Sequence, residues 1–151
     1  GDIHGDFVPL VYEISVRYGM HDTLVIVAGD CGFGFDKPNA YDNTFRRIEK
    51  RLVQNNCWIA MVRGNHDDPA YFELQADGNT LIHHARWRTV PDYAVIQACG
   101  RMVLCVGGAV SVDRQIRLRE MKRHIGKLYY WSNETVRYDA EALDYHFSAS
   151  K

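Results

Sequence analysis

Two short apolar runs, Thr23 to Ala28 and Cys57 to Val62, carry no polar alternation. A strand with one wet face alternates, whereas a strand covered on both faces reads as a continuous apolar run. The chain must therefore enclose a sheet between two layers. The flanking segments can supply one of them. Phe7, Leu10, Val11, Ile14 and Tyr18 recur at helical spacing and predict a helix over residues 6–18 that ends at Gly19. Phe45, Ile48, Leu52 and Val53 predict a second helix over 41–54, with Arg46, Arg47, Glu49, Lys50 and Arg51 mostly outward. The stretch from Gly29 to Ala40, with three glycines and Pro38, reads as loop. Helix, strand, helix, strand is the order of parallel strands joined by crossovers.

After residue 80 the pattern changes. Tyr93 to Ala98 and Met102 to Val106 flank Cys99-Gly100-Arg101 and predict a hairpin, with Trp87 to Val90 as a third strand of the same antiparallel group. Residues 113–123 predict a short charged helix. Glu134 to Phe147 predicts a last one, with Val136, Ala140, Leu143 and Phe147 on one face. The expected fold is α/β, layered, with mixed sheets flanked by helices, in a single domain over residues 1–151.

Three clusters stand out against this frame. Gly1-Asp2-Ile3-His4-Gly5 opens the chain, Gly29-Asp30-Cys31-Gly32 follows the first apolar run, and Gly64-Asn65-His66-Asp67 follows the second. Ligands in such sheets bind beyond the carboxyl ends of the strands, so the clusters are expected on one rim, the first of them after a strand preceding Gly1. Asp2, Asp30, His4, His66 and Asn65 offer hard or borderline donors for divalent metal ions. Asp2 and His4, two residues apart, are expected to share one face of an extended backbone.

In this order and spacing the clusters resemble those of the calcineurin-like metallophosphoesterase superfamily. The resemblance covers residues 1–113 and includes Gly107-Gly108-Ala109-Val110-Ser111-Val112-Asp113, which is similar to a segment of bacterial and phage members. It implies hydrolysis of a phosphomonoester or phosphodiester by a metal-bridging hydroxide at a dinuclear site. The cofactors would be two divalent ions, among Mn, Fe, Zn and Ni. By the same resemblance Asp2 and His4 bind the first ion, Asp30 bridges both, and the Asn65 carbonyl binds the second. His66 contacts the phosphate and protonates the leaving oxygen. Family members carry a further isolated His and a Gly-His-x-His downstream, and neither occurs before Lys151. His124 and His146 lack that context. The chain is therefore expected to be part of a longer reading frame, incomplete at both ends. A truncated or degenerate relative that binds metal or a partner without turnover is the alternative. Within enzymes the alternative is a nuclease. The Asp-Arg-Gly of the protein Ser/Thr phosphatase branch is replaced here by Cys31-Gly32-Phe33-Gly34-Phe35.

Composition narrows the partners. A net charge of −1 provides no basic field for nucleic acid. The expected substrates are phosphorylated small molecules, nucleotides or proteins. No apolar run approaches the roughly 18 residues of a membrane span. The four cysteines show neither CxxC nor disulfide-rich spacing, which points to a reducing, cytoplasmic setting. Arg114 and Arg117 are candidate contacts to the substrate phosphate or leaving group, against the alternative of a solvated charged face. Arg63 is expected to be a solvated strand-end charge. Asp68 is read as the cap before Pro69, and Asp67 as either a cap or an orienting partner of His66. Cys31 reads as structural or as an oxidation-sensitive neighbour of Asp30. Tyr129, Tyr130 and Trp131 read as core or lid. The adjacent His83 and His84 would point to opposite faces of a strand, so at most one could reach the site.

Overall fold

The computed structural model describes residues 2–124 and 130–149, with side chains in the second stretch as far as Tyr145. The apolar runs form β1 (Leu24–Ala28) and β2 (Trp58–Val62), joined in parallel register by β3 (Trp87–Val90). The order is β1-β2-β3, with Val27 opposite Met61 and Met61 opposite Thr89. Side chains alternate across the sheet. Val27, Ile59, Met61 and Trp87 face one core, together with Phe7, Val11, Ile14, Phe45, Ile48 and Leu52 from the helices. Ala60, Val62 and Val90 face the other, with Leu24, Ile26 and residues of the hairpin β4 (Ala94–Ala98) and β5 (Arg101–Cys105). Both sides of the sheet are thus covered, which is why the sequence runs do not alternate. The chain is an α/β protein with helices and two sheets, one parallel and one antiparallel, rather than sheets of mixed direction.

Aromatic packing fixes the helical layer. α2 (Pro38–Gln54) stacks Phe45 on Trp87 with ring centroids 4.7 Å apart, and Phe7 meets the same Phe45 edge-on at 4.8 Å. α2 begins at Pro38, earlier than the spacing indicates, because proline fits the first helical position where no N–H is required. Leu52 is fully buried, but the neighbouring Val53 is half exposed and lies off the apolar face.

Three expectations are corrected. Trp87 to Val90 is not part of the antiparallel group. It pairs parallel with β2, and only β4 and β5 form the hairpin. The residues between β3 and β4 begin with Pro91, which has no N–H to give to a ladder, and they carry the chain into the second sheet instead. The first helix is also interrupted. α1 (Phe7–Tyr12) passes into a π-helical turn, Glu13–Arg17, in which the Tyr18 N–H reaches the Glu13 carbonyl at 2.9 Å. The wider turn takes Tyr18 out of phase with the buried stripe and leaves it exposed. The last helix is shorter than expected. α4 (Ala140–Ala149) comes after a non-helical stretch whose backbone is tied elsewhere: the Tyr93 hydroxyl donates to the Arg137 carbonyl at 2.8 Å and accepts from the Asp139 N–H at 3.0 Å. Val136 lies in that stretch, and the placement of Phe147 on a helical face falls outside the described side chains. α3 (Arg114–Arg123) forms as the charged segment indicates.

Candidate metal centre

The first cluster lies against the loop after β1. The amides of Ile3 and His4 both donate to the Asp30 carbonyl, at 3.1 and 2.9 Å, and the Gly5 N–H donates to the Cys31 carbonyl at 2.8 Å. The backbone here is not extended, which corrects the expected shared strand face. Asp2, His4 and Asp30 all adopt left-handed conformations, with φ of 60°, 43° and 50°. Asp and His tolerate that region better than most residues, yet each such position costs roughly 1–3 kcal/mol and persists only where its surroundings enforce it. The enforcement comes from close approach. A Cβ on Gly32 would collide with the backbone of His4 and Gly5, and one on Gly64 with the Asp30 amide and carboxylate. Glycine is needed at both positions for the three loops to meet.

Asp67 locks the second cluster to the third. Its carboxylate is fully buried and accepts four backbone N–H groups. Oδ1 takes Gly32 at 2.6 Å and Phe33 at 3.0 Å, while Oδ2 takes Cys31 at 2.9 Å and Gly64 at 2.8 Å. Its task is therefore to tie two loops together, rather than to cap a turn or orient the His66 ring. Asp68 does cap, accepting from the Ala70 N–H at 3.0 Å.

On this scaffold ring nitrogens of His4 and His66 and a carboxylate oxygen of Asp30 lie within 4.8 Å of one another. The two imidazoles meet edge to face with centroids 5.5 Å apart. Asp30 also accepts from the His66 backbone N–H at 3.1 Å, so it sets the position of that residue. On the other side, Asp2, Asp30 and Asn65 line an open pocket of about 250 Å³ together with Gly107 and Gly108. Asp30 is common to both groups. Imidazole nitrogens, carboxylate oxygens and one carboxamide form a donor set suited to first-row divalent ions such as Mn, Fe, Zn and Ni. The chemistry of these residues therefore fits the metal that the motifs imply.

Several neighbours have roles the sequence did not assign. Arg63 is not solvated. It is 4% exposed, paired with Asp92 at 2.7 Å, and donates to the Glu134 carbonyl at 2.6 Å and the Asn133 carbonyl at 3.2 Å. Asp92 in turn accepts from the Gly107 N–H, so this pair anchors the wall of the pocket. Asn65 donates through Nδ2 to Ser111 Oγ at 2.9 Å, and Ser111 is bound by the buried carboxylate of Glu134. Ser111 belongs to the Gly-Gly segment, but no spacing rule connects it with Glu134, 23 residues further on.

Arg117 is buried at the site. Its Nη2 lies against the His66 ring, and its Nε donates to Asp113 at 3.0 Å. That hydrogen bond and the guanidinium charge hold the Asp113 carboxyl below the usual carboxylate range. Arg114 turns instead over the Tyr130 ring, 5.2 Å from its centroid. Tyr130 and Trp131 are buried, and Trp131 packs edge-on against Phe35. Cys31 is buried and donates to the Val62 carbonyl. Burial, then the Asp67 and Asp30 carboxylates, push its thiol far up, so it stays protonated and structural. His84 is drawn to Asp42 at 3.0 Å, and His124 lies beside Glu120 at the end of α3. Tyr129 and the His146 side chain lie outside the described residues.

Among the described residues no helix is long and apolar enough to cross a membrane. A family model described as calcineurin-like phosphoesterase matches residues 1–147. No curated protein and no solved structure matches the chain.

Proposed function

The chain belongs to the calcineurin-like phosphoesterase family, and from that premise we propose that it hydrolyses phosphoesters, monoesters or diesters, at a site holding two divalent metal ions. One observation carries the reading: His4, Asp30 and His66 converge within 4.8 Å, while Asp2 and Asn65 share a pocket with the same Asp30. Asp30 thus stands among all the other candidate donors, as a carboxylate that serves a pair of closely spaced cations must. When bound, such ions supply Lewis acidity, activate water as a nucleophile and neutralise charge on the phosphoryl oxygens.

Each residue then has a task. By the resemblance of the motifs, Asp2 and His4 would hold one ion, Asn65 the other, and Asp30 would serve both. His66 faces the phosphoryl group and gives its proton to the leaving oxygen. Arg117, beside the His66 ring, contributes a guanidinium to the phosphate oxygens, whereas Arg114, on the same helix, would have to leave the Tyr130 ring to reach the leaving group. With a net charge of −1, phosphorylated small molecules, nucleotides or proteins are preferred over long nucleic acids. The four free cysteines are in keeping with a cytoplasmic setting.

The test is hydrolysis of a generic aryl phosphate with added Mn²⁺, Zn²⁺, Fe²⁺ or Ni²⁺. Asp30→Asn and His66→Gln are expected to remove turnover while the circular dichroism spectrum is kept. Unchanged hydrolysis in both variants refutes the assignment. Metal binding by the wild type without turnover favours a non-catalytic relative.

A further inference from the structure

A carboxamide is a ligand at one end only. Its oxygen can bind a cation; its NH₂ group presents two protons and cannot. Whether Asn65 serves a metal ion thus depends on which end faces the pocket, and the two ends have nearly the same size and shape. Something must fix the choice.

Three hydrogen bonds do so. Glu134 is 2% exposed, and as a carboxylate it only accepts. It takes the Ser111 N–H on Oε1 at 2.9 Å and the Ser111 hydroxyl on Oε2. A serine hydroxyl has a single proton, so Ser111 Oγ has none left to donate and can only accept from Asn65. It meets Asn65 Nδ2 at 2.9 Å. If the carboxamide turned over, Oδ1 would face an oxygen that has no proton for it. The direction of the chain is therefore dictated by its acceptor-only end. Glu134 is itself held in place. Its carbonyl accepts from the buried Arg63, one residue before Gly64-Asn65.

We propose that Ser111 and Glu134 are positioning residues that lock the Asn65 carboxamide with its oxygen toward the metal, by a hydrogen-bond relay of fixed polarity. This rests on the reading of Asn65 as a metal ligand. The relay touches neither the substrate nor the ion.

Metal affinity is the direct readout. Mn²⁺ binding is measured by calorimetry, alongside the melting temperature of the metal-free protein, for Asn65→Ala, Ser111→Ala and Glu134→Gln. Loss of a partner that orients a ligand typically weakens metal binding by about 10–100-fold, and that loss is expected for S111A and E134Q. Asn65→Asp in the S111A background supplies the orientation-specific control. Aspartate has oxygen at both ends, so it needs no orientation and is expected to restore binding. E134Q, which keeps the shape of the side chain, carries the test should S111A not fold. Weakened binding in N65A with wild-type binding in S111A and E134Q overturns the relay alone. Failure of the aspartate to restore binding in S111A also overturns it. Wild-type binding in N65A overturns the ligand assignment on which the relay rests.

Discussion

Replacing Asp67 by asparagine tests the principle on which the rim is built. Each carboxylate oxygen accepts two backbone N–H groups, Oδ1 from Gly32 and Phe33 and Oδ2 from Cys31 and Gly64. Asparagine keeps one oxygen. Whichever way it turns, two buried N–H groups then confront an NH₂ group. Hydrogen bonds to a charged acceptor contribute about 1.5–3 kcal/mol each, so the loss of two predicts a cost of about 3–6 kcal/mol. A domain of this size is stable by only about 5–15 kcal/mol, so D67N is expected to lose roughly a fifth of that or more. Asp68→Asn is the matched control, since the Asp68 carboxylate accepts only one N–H, at the start of the Pro69–Tyr71 turn. It is expected to cost no more than about 1 kcal/mol. Urea unfolding of the metal-free proteins measures both, with the slope checked for two-state behaviour. If D67N proved as stable as D68N, the four amides would not need a carboxylate, and the argument for Asp67 as the tie between the loops would fail.

Burial leads to two further outcomes. Burial first, and then Tyr41 and the nearby carboxylates, raise the Tyr71 hydroxyl from 10.0 to about 12. Below pH 10.0 the phenol is protonated in both states and its contribution is complete. Between 10.0 and about 12 the unfolded chain releases the proton first, so stability falls as pH rises. Tyr71→Phe should flatten part of that fall in unfolding curves taken across the window, and an identical slope in the variant would remove Tyr71 from the account. Separately, Cys99 is exposed at the hairpin turn while Cys31, Cys57 and Cys105 are buried. A thiol-specific reagent should label Cys99 rapidly in the native protein and the other three only on unfolding. Rapid native labelling of Cys31 would contradict its packing against the Val62 carbonyl.

The positions of the donors were legible because they depend on local signals. Continuous apolar runs marked β1 and β2, and the clusters immediately after them had to emerge at one edge of the sheet. Hairpin chemistry located β4 and β5 in the same way. The neighbour of β3 was not legible, because four residues with a buried tryptophan suit a parallel or an antiparallel partner equally. The choice is made by the pairing of Trp87 with Ile59 and by packing on Phe45, both far away in sequence. The π-turn at Glu13–Arg17 also escaped, since it keeps the helical spacing as far as Ile14 and alters only the phase of later residues such as Tyr18. The partners of Arg63, Asp67 and Glu134 were hidden for a different reason. A buried charge is recognised by the groups that neutralise it, and these are mainly backbone amides and carbonyls, which every residue has.

That division among the charges bears on where cations can sit. Arg63, Asp67 and Glu134 are each at least nine-tenths buried, and each is answered within the protein, by Asp92 and two carbonyls, by four amides, and by Ser111. Burying a charge is tolerated only with such compensation. Asp2 and Asp30 differ. Asp30 gives one oxygen to the His66 amide, and Asp2 makes no side-chain hydrogen bond to another described residue. Both are held in left-handed backbone and line one pocket beside Asn65. The fold thus answers in full the charges that maintain its shape and gives the two carboxylates at the pocket a single N–H between them. Negative charge that is held in place, at a conformational cost and with few protein partners, is the arrangement that a divalent cation completes.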